Sequence, residues 1–253
     1  MNINWKKSAV ILIDILLVVY LVLAVLVLNR PDTLQNTCSE VKIEIKEGAV
    51  KGFLTSEEVK SRLLKAKLYP LGDPIDQVNA RKIEDVLLKN PLVETVQCWK
   101  TQTGKVHINL TQRLPVVRVK ADNGDDYYVD THGNIMPNSR YASNLVVVTG
   151  HVTRPYARQT LSRIGNFLIR NKVWFNQVEQ LNVLQDGTVE MVPRVGDHIV
   201  YLGNPVNLSA KFDRLEKFYK YGLSEAGWNK YSYISLEFDN QIICKKRKLN
   251  NTL

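Results

Sequence analysis

The hydrophobic pattern begins with a long apolar run near the N-terminus. Residues 8–28 read SAVILIDILLVVYLVLAVLVL, and Asp14 is the one charged residue among them. About 20 apolar residues in a helix can cross the hydrocarbon core of a bilayer. The run is also longer than the apolar core of a cleaved signal peptide. The pattern therefore predicts an uncleaved transmembrane helix over 8–28.

The charges that flank this run predict its orientation. Lys6 and Lys7 precede the run, whereas Arg30 is the basic residue that follows it closely. Because basic residues favour the cytoplasmic side of a membrane, we expect a cytoplasmic tail at 1–7. A linker at 29–37 would then lead to the rest of the chain on the outer side.

Asp14 is a candidate functional residue within the predicted span. A carboxylate in the apolar part of a membrane helix is energetically unfavourable. Two interpretations stay open. Asp14 contacts another transmembrane helix, or it is a tolerated residue near the edge of one leaflet.

Residues 38–112 combine strand and helix patterns in a fixed order. Thr55 and Glu58 have the spacing of a capping box, which predicts that a helix begins there. A second helical pattern ends near Asn90-Pro91, and Thr103-Gly104 supplies a turn between two later strands. The order strand, helix, helix, strand, strand predicts a small α+β domain. Its strands are expected near 41–45, 93–99 and 105–110.

The pattern of residues 113–246 predicts a second domain of short strands and two helices. Turn dipeptides such as Asn123-Gly124 and Asp186-Gly187 separate neighbouring strands. The helices are predicted at 156–171 and 208–221. The strands are predicted at 112–121, 127–130, 145–150, 177–184, 188–193, 198–202, 233–238 and 241–245. A tail at 247–253 would follow the domain.

Short motifs occur in a particular order along this second domain. They are Arg113-Leu114-Pro115, Tyr128-Val129-Asp130 with Gly133, Leu145 with Gly150, Tyr201-Leu202-Gly203 and the run from Tyr233 to Phe238. With the apolar run and the first domain before them, they resemble the bacterial cell-division family FtsQ, called DivIB in some bacteria.

The resemblance implies both an architecture and a function. It implies a POTRA domain (βααββ) over 38–112, followed by a mixed α/β domain with a curved, mainly antiparallel sheet. The protein would be a non-enzymatic scaffold of the divisome, a single-pass type II protein of the inner membrane with periplasmic domains at the septum. It would link early division proteins to septal peptidoglycan synthesis through FtsB and FtsL, beside other divisome proteins.

The implied contact is β-augmentation at the last strand, in which a partner segment pairs with an exposed sheet edge. Phe238 occupies an aromatic position that the resemblance makes a contact, and Lys245, Lys246 and Arg247 are expected to face acidic groups. Alternation requires that either Ile242 with Cys244, or Ile243, faces the core. The predicted partner-binding residues are Phe238, Asn240, Gln241, Ile242, Ile243, Lys245 and Lys246.

Charge and cysteine content add little to this picture. The net charge of +9 is spread along the chain, except for the run Lys245 to Lys248. We interpret that run as a solvated tail or a membrane-surface contact, and we expect no nucleic-acid partner. The three cysteines form neither a disulfide framework nor a zinc pattern. Cys38 and Cys98 could form one bridge, or all three thiols are free.

No motif for catalysis or cofactor binding occurs in the sequence. Asp130 and His132 could be a base or a metal site, but a hairpin turn in which Asp130 accepts backbone N–H groups is favoured. We therefore predict no enzyme and no cofactor. The alternative function is a membrane-anchored periplasmic enzyme or peptidoglycan-binding protein. An outer-membrane assembly factor would need several POTRA repeats and a barrel, for which the chain is too short.

Overall fold

The computed structural model describes residues 5–28, 37–46, 54–138 and 145–247, without the side chains of 5–11, 27 and 28. The predicted tails at 1–7 and 247–253 and the linker at 29–37 lie mostly outside these ranges. The described chain forms an N-terminal helix, a domain with a three-stranded sheet and a domain with a nine-stranded sheet.

Helix α1 (Trp5–Leu28) contains the predicted span 8–28. Its large apolar side chains are exposed to solvent from Leu12 to Leu26. Over the residues that the structure describes, no helix combines the length and the apolarity that crossing a membrane requires. The membrane-spanning role of 8–28 therefore stays a prediction.

The first domain has the βααββ order that the sequence predicts. Its elements are β1 (Glu40–Lys46), α2 (Ser56–Lys65), α3 (Ala80–Leu88), β2 (Val93–Lys100) and β3 (Lys105–Gln112). The central strand β3 is parallel to β1 and antiparallel to β2. The capping box is present, because Thr55 accepts the amide of Glu58 and Glu58 accepts the amide of Thr55. Leu63, Ile83 and Ile108 are in the core.

The second domain is a nine-stranded mixed sheet in the order β12-β11-β10-β9-β8-β7-β4-β5-β6. Strands β4, β7 and β8 are parallel neighbours, as are β10 and β11, and the other neighbouring pairs are antiparallel. The strands are β4 (Pro115–Ala121), β5 (Asp126–Asp130), β6 (Ile135–Pro137), β7 (Val146–Gly150), β8 (Val178–Val183), β9 (Val189–Pro193), β10 (Ile199–Gly203), β11 (Tyr231–Ser235) and β12 (Ile243–Lys246).

Helices pack against this sheet through a continuous apolar core. They are α4 (Arg154–Tyr156), π1 (Ala157–Leu161), α5 (Ser162–Arg170), α6 (Lys172–Gln177), α7 (Leu208–Lys217), π2 (Phe218–Leu223) and α8 (Ser224–Ala226), where π1 and π2 are π-helical turns. Gly165 allows α5 to approach β4 closely, since a Cβ there would lie 2.6 Å from a methyl group of Val116. Phe212 and Leu215 of α7 are buried in the same core.

Several predicted boundaries are wrong for physical reasons. Gln112 ends β3 rather than opening the next strand, because Arg113 and Leu114 form the connection between the domains and β4 begins at Pro115. The strand predicted at 233–238 ends at Ser235, because the amide of Glu237 donates to Oγ of Ser235 and the chain turns there. Strand β6 and helix α6 were not predicted.

Arg113 joins the two domains. Its Nη1 donates to Oδ2 of Asp130 at 2.7 Å, its Nη2 to the carbonyl of Val93 at 3.0 Å and its Nε to that of Pro91 at 3.1 Å. Leu92 of the first domain also packs against a small cluster of buried apolar residues of the second. The second domain is therefore held against the start of β2.

Candidate partner-binding edge

Strand β12 forms one end of the nine-stranded sheet and pairs with β11 in antiparallel register. Ile243 lies opposite Ser235, and Lys245 lies opposite Tyr233. No described strand pairs with the side of β12 that faces away from β11, so the backbone groups on that side can pair with an added strand. At the other end of the sheet, β6 has three residues and ends in Pro137. Proline lacks the N–H that a new strand requires, so β12 is the better edge for strand addition.

Two large apolar side chains are exposed beside this edge. Phe238 and Ile243 each have 50% of their surface exposed. Ile242 and Cys244 point the other way and pack against the core. The alternation that the sequence left open is thereby resolved, with Ile243 on the accessible face. An exposed aromatic and an exposed aliphatic side chain next to unpaired backbone are typical of a protein-binding site.

The remaining predicted residues surround these two side chains. Asn240 and Gln241 are exposed in the turn before β12, and Asn240 has a left-handed backbone with φ +61°. Lys245 and Lys246 are exposed on the strand. Arg247 makes an intramolecular ion pair, in which its Nη1 is 2.6 Å from Oδ2 of Asp197. Its pairing with acidic partner groups stays a prediction.

Arg214 of α7 supports the turn that carries Phe238. Its Nη2 donates to the carbonyl of Leu236 at 3.1 Å, and its Nη1 donates to Oδ1 of Asp239 at 3.3 Å. The Nε of Arg214 is buried without a partner in the described structure. The guanidinium therefore holds both sides of the exposed phenylalanine. The sequence did not predict this role of Arg214, because a charged residue on a helix is expected to face solvent.

Lys211 supports the neighbouring strand in a similar way. It is a buried lysine, whose Nζ donates to the carbonyls of Leu202 at 2.5 Å and Asn204 at 2.9 Å. Burial lowers the pKa of the Lys211 ammonium, and the nearby Arg214 lowers it further. These bonds satisfy the backbone at the end of β10, beside the start of the terminal turn. The one sequence signal for its position is its helical spacing, three residues after Leu208 and four before Leu215, which are both buried.

The edges of the first domain are less suited to a partner strand. The amide of Cys98 on β2 already donates to Oε1 of Glu84, and the ammonium of Lys100 donates to carbonyls of the preceding loop. Strand β1 is open but exposes Glu40, Lys42, Glu44 and Lys46. Charged side chains along an edge are a common protection against strand pairing.

The other residues that the sequence raised have structural explanations or no contacts. Asp14 is exposed on α1. Asp130 accepts hydrogen bonds from the amides of His132 at 2.9 Å and Asn134 at 2.6 Å, which confirms the hairpin-turn interpretation.

The three cysteines are free thiols, so the possible bridge between Cys38 and Cys98 is absent. Burial raises the pKa of Cys98 to about 11. No metal-binding group of His, Cys, Asp or Glu occurs among the described residues.

Comparison with known proteins supports the division into two domains. The family model described as FtsQ/DivIB, C-terminal related, matches residues 114–245, and a POTRA-like domain model matches residues 36–111. A search of curated proteins found no match. Only Gln112 and Arg113 lie between the two matched ranges, and the structure places the junction between the domains at Arg113.

Proposed function

Because a family model matches more than half of it, the chain belongs to the FtsQ/DivIB family, and we propose that it is a non-enzymatic scaffold of the bacterial divisome. Through FtsB- and FtsL-type membrane proteins it would link early division proteins to the enzymes of septal peptidoglycan synthesis. The observation that carries this proposal is the open strand β12 with Phe238 and Ile243 exposed beside it.

In this proposal α1 anchors the protein in the inner membrane as a single-pass type II segment, with both domains in the periplasm at the septum. The apolar sequence 8–28 and the exposed apolar side chains from Leu12 to Leu26 support the anchor, since exposed apolar surface is favourable in lipid. Asp14 would contact a partner's transmembrane helix.

The partner would add a strand to β12. Its backbone would pair with the free N–H and C=O groups, and its side chains would cover Phe238 and Ile243. Lys245 and Lys246 would favour a partner segment that carries acidic residues. Ile242 would contribute indirectly, because its contact with the core fixes the strand.

We expect Ile243→Lys to weaken binding of the FtsB- and FtsL-type proteins at least about tenfold, because it places a charge at the centre of the contact. Phe238→Ala should act in the same direction. The measurement is the dissociation constant of the purified full chain with its partners. Leu64→Lys is the matched control for Ile243→Lys, since Leu64 is likewise exposed and lies on α2 of the first domain.

The same variants test the cellular role. Depletion of the protein in its native bacterium should produce filaments without septa, which wild type and Leu64→Lys rescue but Ile243→Lys does not. Normal division after depletion would refute the divisome role. Unchanged affinity of Ile243→Lys in a folded protein would instead refute only the use of the β12 edge.

A further inference from the structure

A second charged surface lies on the helices of the second domain. From Thr131 to Val178 the sequence contains no acidic residue. The described helices of this segment carry five basic residues, which are Arg154, Arg158, Arg163, Arg170 and Lys172. Such a stretch, without an acidic residue to balance it, produces a local positive potential that attracts acidic groups.

Most of these side chains have no charged partner in the described structure. Arg154 is 3.4 Å from Asp125 and is thus partly neutralised. Arg163 uses its Nη2 to donate to the carbonyl of Pro205 at 3.3 Å, which positions the guanidinium without neutralising it. Arg158, Arg170 and Lys172 are exposed and make no ion pair with any described residue.

Arg163 and Arg170 both line one shallow, open cleft. The cleft has a volume of about 520 Å³ and is lined by Ser162, Arg163, Asn166, Phe167, Arg170 and Asn171. Phe167 gives it an aromatic wall that is held by the ring of Phe212, whose centroid is 5.0 Å away. Asn166 is fixed because its Nδ2 donates to the carbonyl of Thr131 at 2.7 Å. The cleft therefore combines two cations, amides and an apolar surface.

We infer that this cleft is a docking site for an extended acidic segment of a partner protein. A guanidinium binds a carboxylate through two parallel hydrogen bonds. Seven residues separate Arg163 from Arg170, which is about 10 Å along a helix at 1.5 Å per residue. In a polyproline-II segment, side chains three residues apart share a face and lie about 9 Å apart. The spacing of the two arginines thus fits acidic residues at every third position.

This surface is separate from the β12 edge and does not depend on the proposed function. Helix α5 lies over β4, whereas β12 is at the far end of the sheet. One molecule could then hold two partner segments simultaneously. The aromatic ring of Phe167 and the fixed amide of Asn166 beside the two arginines favour a peptide over a lipid surface, because aromatic residues and arginine are enriched in protein–protein interfaces.

The test uses two fluorescein-labelled peptides of identical composition. One contains (Glu-Ala-Pro) three times, and the other contains three consecutive glutamates followed by (Ala-Pro) three times. Fluorescence anisotropy with the full chain in maltoside micelles should show about tenfold tighter binding of the spaced peptide. Arg163→Gln with Arg170→Gln should remove this preference. Arg81→Gln with Lys82→Gln on α3 removes the same charge elsewhere and should leave it unchanged.

Three outcomes would overturn the inference. They are equal binding of both peptides to wild type, equal losses in both double variants, and binding of soluble dihexanoyl phosphatidylglycerol in place of either peptide. The comparison of the two peptides on wild type needs no variant, so it tests the inference even if a substitution impairs folding. The last would assign the surface to anionic lipid. None of these results bears on partner binding at β12, which is measured separately.

Discussion

At the residue scale, His198 is a buried ionisable side chain next to the terminal strand. It is 5% exposed, and its Nε2 lies 2.8 Å from the hydroxyl of Tyr219. Its Nδ1 is buried without a described partner. Burial lowers the pKa of His198 below its ordinary value of 6.5, Asp197 opposes this shift, and Arg247 adds to it. The folded protein therefore keeps this imidazole neutral.

This arrangement predicts a pH dependence of stability. Because the folded-state pKa is lowered, the unfolded chain binds the proton more readily, and stability is lost as pH falls below about 6.5. One such proton changes the free energy of unfolding by at most about 1.4 kcal/mol per pH unit. Chemical denaturation of His198→Gln between pH 7 and 5 should show a smaller slope than wild type. His151→Gln, an exposed control, should keep the wild-type slope.

At the element scale, patterns that depend on neighbouring residues were predictable. The capping box located the start of α2, alternation located β1, and the turn at Asn123-Gly124 located β5. The π-helical turns were not predictable, because an extra residue per turn shifts the helical period without a local signal. In the second of these turns the structure buries Tyr219 and leaves Phe218 half-buried.

The candidate site was likewise predictable from the sequence only in part. Its location on the terminal strand and its residue types were predicted through the family resemblance, and the open edge of β12 agrees with that location. The support from Arg214 was not predictable, because it depends on a carbonyl that is 22 residues away in sequence. Likewise the pairing of Arg247 with Asp197 joins residues 50 positions apart.

We predict that Arg214→Ala loosens the terminal turn. The variant loses two hydrogen bonds, so the free energy of unfolding should fall by about 1–2 kcal/mol. Amide hydrogen exchange at residues 237–241 should accelerate, whereas exchange in β9 should not change. Lys217→Ala, an exposed residue of the same helix, is the control. Equal amide exchange rates at residues 237–241 in wild type and Arg214→Ala would show that the turn is stable without Arg214.

At the scale of the whole molecule, the junction at Arg113 determines how the two domains act together. Asp130 is fully buried and accepts four hydrogen bonds, from Arg113, from the amide of His132, and from the backbone and side chain of Asn134. Burial alone would raise the pKa of Asp130, but these donors, with Arg113 the strongest of them, lower it below 3.8. The motif Arg113-Leu114-Pro115 was visible in the sequence, but the contact with Asp130 was not.

Removing Arg113 should uncouple the domains. Arg113→Ala leaves a buried carboxylate without its cation, which should cost about 3 kcal/mol of stability. The folded-state pKa of Asp130 should rise in the variant. When the solution is acidified, the ionised Asp130 carboxylate should therefore stop stabilising the variant at a higher pH than it does in wild type. Small-angle scattering should show a broader distribution of domain orientations. Arg118→Ala breaks a more exposed pair with Asp126 and should cost no more than about 1 kcal/mol.

The two lysines of β12 also affect how copies of this chain meet one another. If two molecules paired through their β12 edges, Lys245 and Lys246 of both copies would lie in one short ladder. Like charges in such a ladder repel, which disfavours self-association. The charges that would attract an acidic partner therefore also disfavour pairing between two copies of this chain. On this view the edge selects an acidic partner over a second copy by charge, before any backbone hydrogen bond forms.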